Sequence, residues 1–310
     1  MLLKRLILSL KSKRDGGSYW SPLFSKKFLE VLDAYLMLLP FFIIFGIFAV
    51  YSFFYAFYIS FHKFNLLSSP EFVGLSNYVK LFKDPEYTGY AIPNTLKYTI
   101  TVVSIQTFLS LVLAFILDQN IKFRSFFRTL YYLPSVTSSV VISLIFIWLF
   151  SRVGAINSIL GLNIDWLNNP KTALWTISTV NIWSTTGTMI LIFLAGLQDI
   201  PVSVYESASI DGANRWDIFW KITLPLLKPV ILFVVVMGTI GCFQVFDQIY
   251  LMTRGGPLNS TLTMAYYVYD KAFGRGLEPQ MGLASAAAFI LGIVIFIFTL
   301  IQRRLLEGRE

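Results

Sequence analysis

PVSVYESASIDGANRWDIFWKITLPLLKP, residues 201–229, is a polar, turn-broken stretch between two long apolar runs. Glu206, Asp211 and Asp217, with Asp199 just before them, stand in a chain of which only 14% is charged. A bare link between two membrane helices needs only a handful of residues. This one is long enough to fold and to present a surface, which points to a place where another protein takes hold.

Within the stretch, Pro201 lacks an amide hydrogen and either ends the preceding helix or starts the next. Ser203 and Glu206 have the spacing of a capping box, so a short helix is expected through Ser207, Ala208 and Ile210. Asp211-Gly212 is a turn signal. A second short helix is expected to carry Trp216, Phe219 and Ile222, and Pro225 and Pro229 then lead into the next apolar run. The result is a compact helix–turn–helix across a membrane surface. A plainer alternative is an amphipathic surface linker whose acids are only solvated.

The flanking runs settle the class. The 310 residues are 56% hydrophobic and 17% aromatic, with mean hydropathy +0.67; a soluble domain carries about 25% charged residues. A span needs about 20 largely apolar residues. Such runs are Ala34–Phe61, Tyr98–Leu117, Thr129–Phe150, Thr172–Gln198, Pro229–Phe246 and Met281–Gln302, the fifth continuing through Ile249–Met252. The expected fold is therefore all-α and polytopic, with six transmembrane helices.

Basic residues set the orientation. A model with the N-terminus inside puts sixteen Lys and Arg on the cytoplasmic side and nine on the far side. Both termini, and the 201–229 stretch, are then cytoplasmic. The expected division is a basic N-terminal segment over 1–33, a six-helix domain over 34–302 with its loop at 201–225, and a cytoplasmic tail over 303–310. The first fourteen residues read as a basic interfacial helix or as a disordered basic tail. The far-side loops, with Pro and Gly, read as turns and short interfacial pieces.

Several classes are excluded. The net charge of +8 does not signal nucleic-acid binding, because basic residues flank apolar segments instead of alternating with aromatics in a stripe. The single cysteine, Cys242, excludes an internal disulfide. No His/Cys cluster has metal-ligand spacing, and no Gly-rich loop leads to Gly-Lys-Ser/Thr, so this chain carries no P-loop. No cofactor is expected in it. His62, at the end of the first span, reads as an interfacial residue.

Residue order adds a resemblance. Glu206-Ser-Ala-Ser-Ile-Asp211-Gly212-Ala213, followed by Ile222-Thr-Leu-Pro225, resembles the cytoplasmic EAA loop of binding-protein-dependent ABC importer permeases, with Ser207 in place of the first Ala. Phe246-Asp247-Gln-Ile-Tyr250-Leu-Met-Thr253-Arg-Gly255-Gly256-Pro257 resembles the signature of the carbohydrate branch, of the maltose and glycerol-phosphate first-subunit type. Thr261, Tyr266, Tyr267, Tyr269 and Ala272-Phe273 continue it, and Arg128-Thr-Leu-Tyr-Tyr-Leu-Pro134 and Gly196-Leu-Gln-Asp-Ile-Pro201 agree. Similarity runs from about Ala34 onward. No far-side loop is long enough for the large external domain that some maltose-type subunits insert.

The resemblance implies the type I importer permease fold in a bacterial or archaeal cytoplasmic membrane. It also implies a second homologous permease, an ATPase dimer that binds ATP and Mg, and an extracytoplasmic solute-binding protein as partners. Tyr205, Glu206, Ser207, Ala208, Asp211, Gly212, Ala213 and Arg215 would be the coupling residues that dock on an ATPase. The chain itself would be no enzyme.

Polar side chains at membrane depth are functional candidates by default, uncharged ones less strongly than charged ones. Asn181, Trp183, Thr185 and Thr188 of the fourth span and Gln244 and Asp247 of the fifth are the candidates for a sugar, with Trp183, Phe243 or Phe246 beneath its apolar face. Asn181 and Trp183 match the maltose-type segment that lines the sugar site, whereas the residues over 184–188 do not. Packing between helices competes as an explanation for the Ser and Thr residues, and a structural role at the interface competes for Asp247. The expected cargo is a di- or oligosaccharide. Glycerol phosphate or another polyol derivative is the alternative within the family, and an ion-coupled secondary carrier the alternative outside it.

Overall fold

A computed structural model describes residues 26–119, 121–274 and 278–307. The basic segment expected before the first span therefore lies largely outside the described residues, as does the end of the tail. The chain divides into two units between Tyr55 and Ala56. The first contains helix α1 (Lys26–Phe45), with Pro40 inside it, and a π-helical stretch, Gly46–Tyr51. Helix α2 (Ser52–Ser60) follows, and Val31–Ser60 is long and apolar enough to cross a membrane.

In the second unit, strands β1 (His62–Lys63) and β2 (Glu71–Phe72) pair antiparallel, with His62 opposite Phe72. Helix α3 (Ser76–Lys83) and a π-helical turn (Tyr87–Ala91) lead into α4 (Ile92–Asp118). The third apolar run forms α5 (Arg124–Val136) and α6 (Ser139–Leu149), and α7 (Ala155–Leu160) precedes α8 (Ala173–Asp199). The 201–229 stretch holds α9 (Val202–Ile210), α10 (Arg215–Ile218) and α11 (Leu224–Leu226). Then come α12 (Lys228–Phe243), α13 (Asp247–Met252), α14 (Met264–Phe273) and α15 (Met281–Glu307).

Five helical segments are long and apolar enough to span, and the α5–α6 pair makes a sixth only if counted as one broken span. Counted so, the described residues hold the expected six, with the third broken. The two arms meet at 96°. Thr137 and Ser138 are both extended, and the last turn of α5 is closed off by Thr137, whose N–H donates to Pro134 O and whose hydroxyl donates to Leu133 O. At 1.5 Å per residue the arms are about 20 and 16 Å long. Neither crosses a hydrocarbon core of about 30 Å alone.

The fifth span is also interrupted. Helix α12 ends with Gln244, and α13 starts after Phe246, whose φ of −132° is not helical. Irregular backbone at membrane depth is tolerated only where protein buries it or a water-filled cavity meets it.

Around these breaks, α4 packs along α8, α12 against α4 and α15, and α5 along α8. Gly187 of α8 marks a close approach: a Cβ there would collide with the Tyr131 carbonyl of α5. Small residues at such crossings let backbones approach, which drives packing where burial of apolar surface from water cannot. One buried cluster, with Tyr98, Phe243, Ile249 and Tyr267, gathers around α13 and α14. A second, with Leu117, Phe193, Leu197 and Leu227, gathers at the end of α8 that leads to the 201–229 stretch.

The loops at the other end of α12 hold more structure than turns. Helix α14 buries Met264, Tyr266, Tyr267 and Ala272, and it packs on α15. His62 is 5% exposed; its Nδ1 lies 2.7 Å from Tyr58 O, and its carbonyl accepts from Asn77 Nδ2. That makes it a buried residue of the β1 turn.

Candidate functional site

The 201–229 segment is built on backbone hydrogen bonds, with Pro201 at its start. Pro201, in extended conformation, is the N-cap of α9, and no side chain caps that helix. The expected Ser203–Glu206 capping box is therefore not formed. Because α9 starts at Val202, Ser203 already lies in its first turn, and its carbonyl accepts the Ser207 hydroxyl instead. The turn at Asp211-Gly212 is as expected. Gly212 has φ +80°, and Ala213 N–H reaches back to Ala208 O at 2.9 Å while Gly212 N–H reaches Ser209 O. This bonding closes the helix with a left-handed residue, which glycine adopts without a Cβ penalty. The following helix is capped by Asn214, whose Oδ1 accepts from the N–H groups of Trp216 and Asp217.

The residues expected to couple divide into two faces. Ala208 is buried, and the half-buried Tyr205 accepts a hydrogen bond from the Thr223 hydroxyl, tying α9 to the π-helical Phe219–Thr223 turn. Ala213 is half-buried. Glu206, Ser207, Asp211, Gly212 and Arg215 are exposed, and so are the large apolar side chains of Ile210 (85%) and Trp216 (73%). An outward face of that mixture, on a segment fixed from behind, suits a protein contact better than solvent alone.

The second site lies where α8, α4 and the broken fifth span meet. A cavity of about 290 Å³ is lined by Gln106, Asn181, Thr185, Gln244 and Asp247, with Phe246 and the bare backbone of Gly238 and Gly241. Asn181, Thr185 and Met189 recur every four residues and share one face of α8. Thr185 Oγ1 donates both to Asn181 O and to Gln106 Oε1. Asp247 accepts a hydrogen bond from Ser139 Oγ, at the start of α6.

Four of the six sugar candidates read from the sequence line this cavity. Trp183 and Thr188 do not. At about 100° per residue, Trp183 points away from the Asn181–Thr185 face, and its ring packs edge-on against Phe146. Thr188 is turned toward α5, and its N–H donates to Ser135 Oγ. Of the proposed rings, Phe246 reaches the cavity, whereas Phe243 is fully buried against Phe298. Thr239 is buried too, accepting from Gln302 Nε2. Gln106 was missed; a lone amide in an otherwise apolar run was the only sequence signal for it.

The family of binding-protein-dependent transport system inner membrane components matches residues 106–309. A probable ABC transporter permease of Bacillus subtilis, YesP, is 37% identical over 278 residues, covering 87% of this chain and 89% of the relative. The arabinooligosaccharides transport system permease AraP of the same organism is 36% identical, covering 95% and 93%. The lactose transport system permease LacF of Rhizobium radiobacter is 36% identical, covering 75% and 80%. Among solved structures, a chain of a bacterial ABC transporter involved in import of the acidic polysaccharide alginate superposes with a TM-score of 0.79 at 24% identity, over 91% of this chain and 97% of that one. This multi-pass membrane chain belongs to the family of binding-protein-dependent transport system inner membrane components.

Proposed function

We propose that the chain is one permease subunit of an ATP-driven importer for an oligosaccharide. The observation that carries this reading is the cavity at the interrupted fifth span. Its polar side chains are amides, a hydroxyl and one carboxylate, beside an aromatic ring. That set binds sugars, which offer many hydroxyls and an apolar ring face. No Lys or Arg lines it, so a phosphorylated cargo such as glycerol phosphate fits less well. Broken helices near mid-membrane are where transporters place their sites. The relatives named for lactose, trehalose/maltose and arabinooligosaccharide transport support the same substrate class.

In this reading the 201–229 segment faces the cytoplasm and docks on a separate ATPase, which binds ATP and Mg. A second permease completes the pathway, and an extracytoplasmic binding protein delivers the sugar. The alginate importer has been captured with a pentasaccharide-bound periplasmic protein, which supports such an arrangement. The membrane is then the cytoplasmic membrane of a bacterium or archaeon. Binding of ATP and of sugar would bias the same two states of the permease, which is all that coupling requires.

The test is uptake of labelled sugar at limiting concentration by the complete importer. Asn181→Ala and Gln244→Ala should each raise KM about tenfold or more, the cost of a lost hydrogen bond to a buried ligand. Unchanged uptake in both variants would assign these amides to packing.

A further inference from the structure

The cavity is small for an oligosaccharide. Its volume of about 290 Å³ is at the lower end of small-molecule pockets, roughly 300–1,000 Å³. Further sugar rings would have to lie outside it. From the cavity wall, a cluster of aromatic rings reaches toward α14. Phe246, which lines the cavity, stacks on Tyr250 with centroids 5.4 Å apart and planes within 15°. Tyr269 meets both, at 4.8 Å from Phe246 and 5.2 Å from Tyr250. Phe273 continues from Tyr269 at 5.8 Å and is 62% exposed.

These rings form the open margin of the buried cluster, resting on the buried Tyr266. Tyr98, Phe243 and Tyr267 are fully buried, whereas Phe246, Tyr250 and Tyr269 are each half-exposed. Phe246, Tyr250 and Tyr269 touch one another beside the polar cavity, and Phe273 extends the group outward, so the cluster adds partly open apolar surface next to the cavity. It also offers tyrosine hydroxyls at its edges. A pyranose or furanose chain presents the complementary pattern, an apolar C–H face on each ring and hydroxyls around it.

We infer that Phe246, Tyr250, Tyr269 and Phe273 form an extended subsite, on which the sugar rings beyond the one seated in the cavity stack. The inference rests on the sugar-import reading above and deepens it. The cargo is a chain of at least two rings, and affinity for it grows with length until the cluster is covered. The cluster lies at the end of α12 opposite the 201–229 segment, where cargo from outside would arrive.

The experiment is uptake by cells carrying the complete importer, with graded series as probes: glucose, maltose and maltotriose; arabinose, arabinobiose and arabinotriose; galactose and lactose. Tyr269→Leu, Phe273→Leu and the double variant are compared with Tyr269→Trp, which keeps an aromatic face. Phe273→Leu alters an exposed ring, so it tests the cluster without disturbing buried packing. In the transported series, each leucine variant should raise KM for the longest sugar about three- to tenfold, the scale of one aromatic contact. KM for the shortest transported sugar should change less than about twofold on the same scale. Tyr269→Trp should retain uptake of the longest sugar.

An equal change for all lengths would mean that the rings pack against protein, and would overturn the subsite. So would no change in any variant, or a wild-type importer that carries only monosaccharides. A wild-type importer that takes up none of these sugars would instead sink the oligosaccharide reading itself, and the subsite with it.

Discussion

The 201–229 segment and the cavity are both polar interruptions of an apolar chain, and they are built in opposite ways. At the segment, the polar groups that would meet a partner are outside: the Glu206 and Asp211 side chains are exposed, and internal hydrogen bonds hold the backbone behind them. At the cavity, polar side chains are tied to one another, Thr185 to Gln106 and Asp247 to Ser139, and the opening comes from missing atoms at Gly238 and Gly241. A docking surface needs rigidity behind it and freedom in front. A small-molecule site needs the reverse, fixed groups facing inward. Three glycines express the difference. Gly212 faces open space with φ +80°, Gly241 faces open cavity, and Gly187 has no room at all.

The largest expected effect separates the two sites outright. Glu206→Lys or Gly212→Val should reduce uptake to background and stop co-purification of the ATPase, while membrane insertion and sugar binding persist. The Gly212 change adds only about 1–2 kcal/mol of backbone cost from the left-handed conformation. Loss of sugar binding in these variants would break the separation. Next in size, Gly241→Leu should fill the cavity and abolish sugar binding, with ATPase co-purification unchanged; titration of both in one preparation decides it.

Gly187→Val should leave neither site directly touched, yet lower unfolding stability in detergent by about 1–3 kcal/mol through overpacking against Tyr131. A melting temperature equal to wild type would show that α5 and α8 part more easily than their contact suggests. The smallest effect lies at the α14 end, where Lys271 bridges Glu86 at 2.8 Å and Asp84 at 3.5 Å, and Tyr267 donates to Asp84 at 2.6 Å. Burial alone pushes the Asp84 carboxyl up, but Tyr267, the Glu86 amide and Lys271 outweigh it and hold its pKa below the usual value. Burial likewise lowers Lys271, and Glu86 and Asp84 raise it overall.

The signs of these two shifts define a window. The depressed Asp84 contributes stability above the ordinary carboxylate pKa of about 3.9, and loses it as pH falls through its folded value. The raised Lys271 contributes below about 10.4 and loses its share as pH rises through its folded value. Lys271→Met should therefore cost about 1 kcal/mol at pH 7. The gap to wild type should narrow as pH falls through the depressed folded value of Asp84, and close once the carboxylates are protonated in both proteins. A gap that persists in acid would assign the loss to packing of the Lys271 stem.

How far the sequence reveals these sites depends on how local their causes are. The Asp211-Gly212 turn is set by one residue's backbone freedom, and it was legible. So was the cavity face of α8, because Asn181 and Thr185 are four residues apart. Trp183 is a candidate because its ring suits a sugar's apolar face in a polar run and because its segment resembles the maltose-type one; neither reason fixes its helix face, and the structure turns it away. Ser203 looked like a cap because nothing local shows that Pro201 already starts the helix. The break at Thr137–Ser138 was not legible, since it lies inside an uncharged run, whereas that at Gln244–Phe246 falls where the fifth run ends before Asp247, a polar signal read as a continuing span. Gln106 was hidden for a related reason: its role comes from α4 lying along α8, a long-range packing fact.

The elbow of the third span also fixes a handedness of surroundings. Thr137 and Ser138 are exposed and non-helical, between two arms that only together are long enough to cross a bilayer. Acyl chains offer no hydrogen bonds, so free peptide groups there would cost several kcal/mol each. The outer side of the bend must therefore meet protein or water. Where the two arms cross the bilayer as one broken span, the lipid annulus is interrupted at these two adjacent residues.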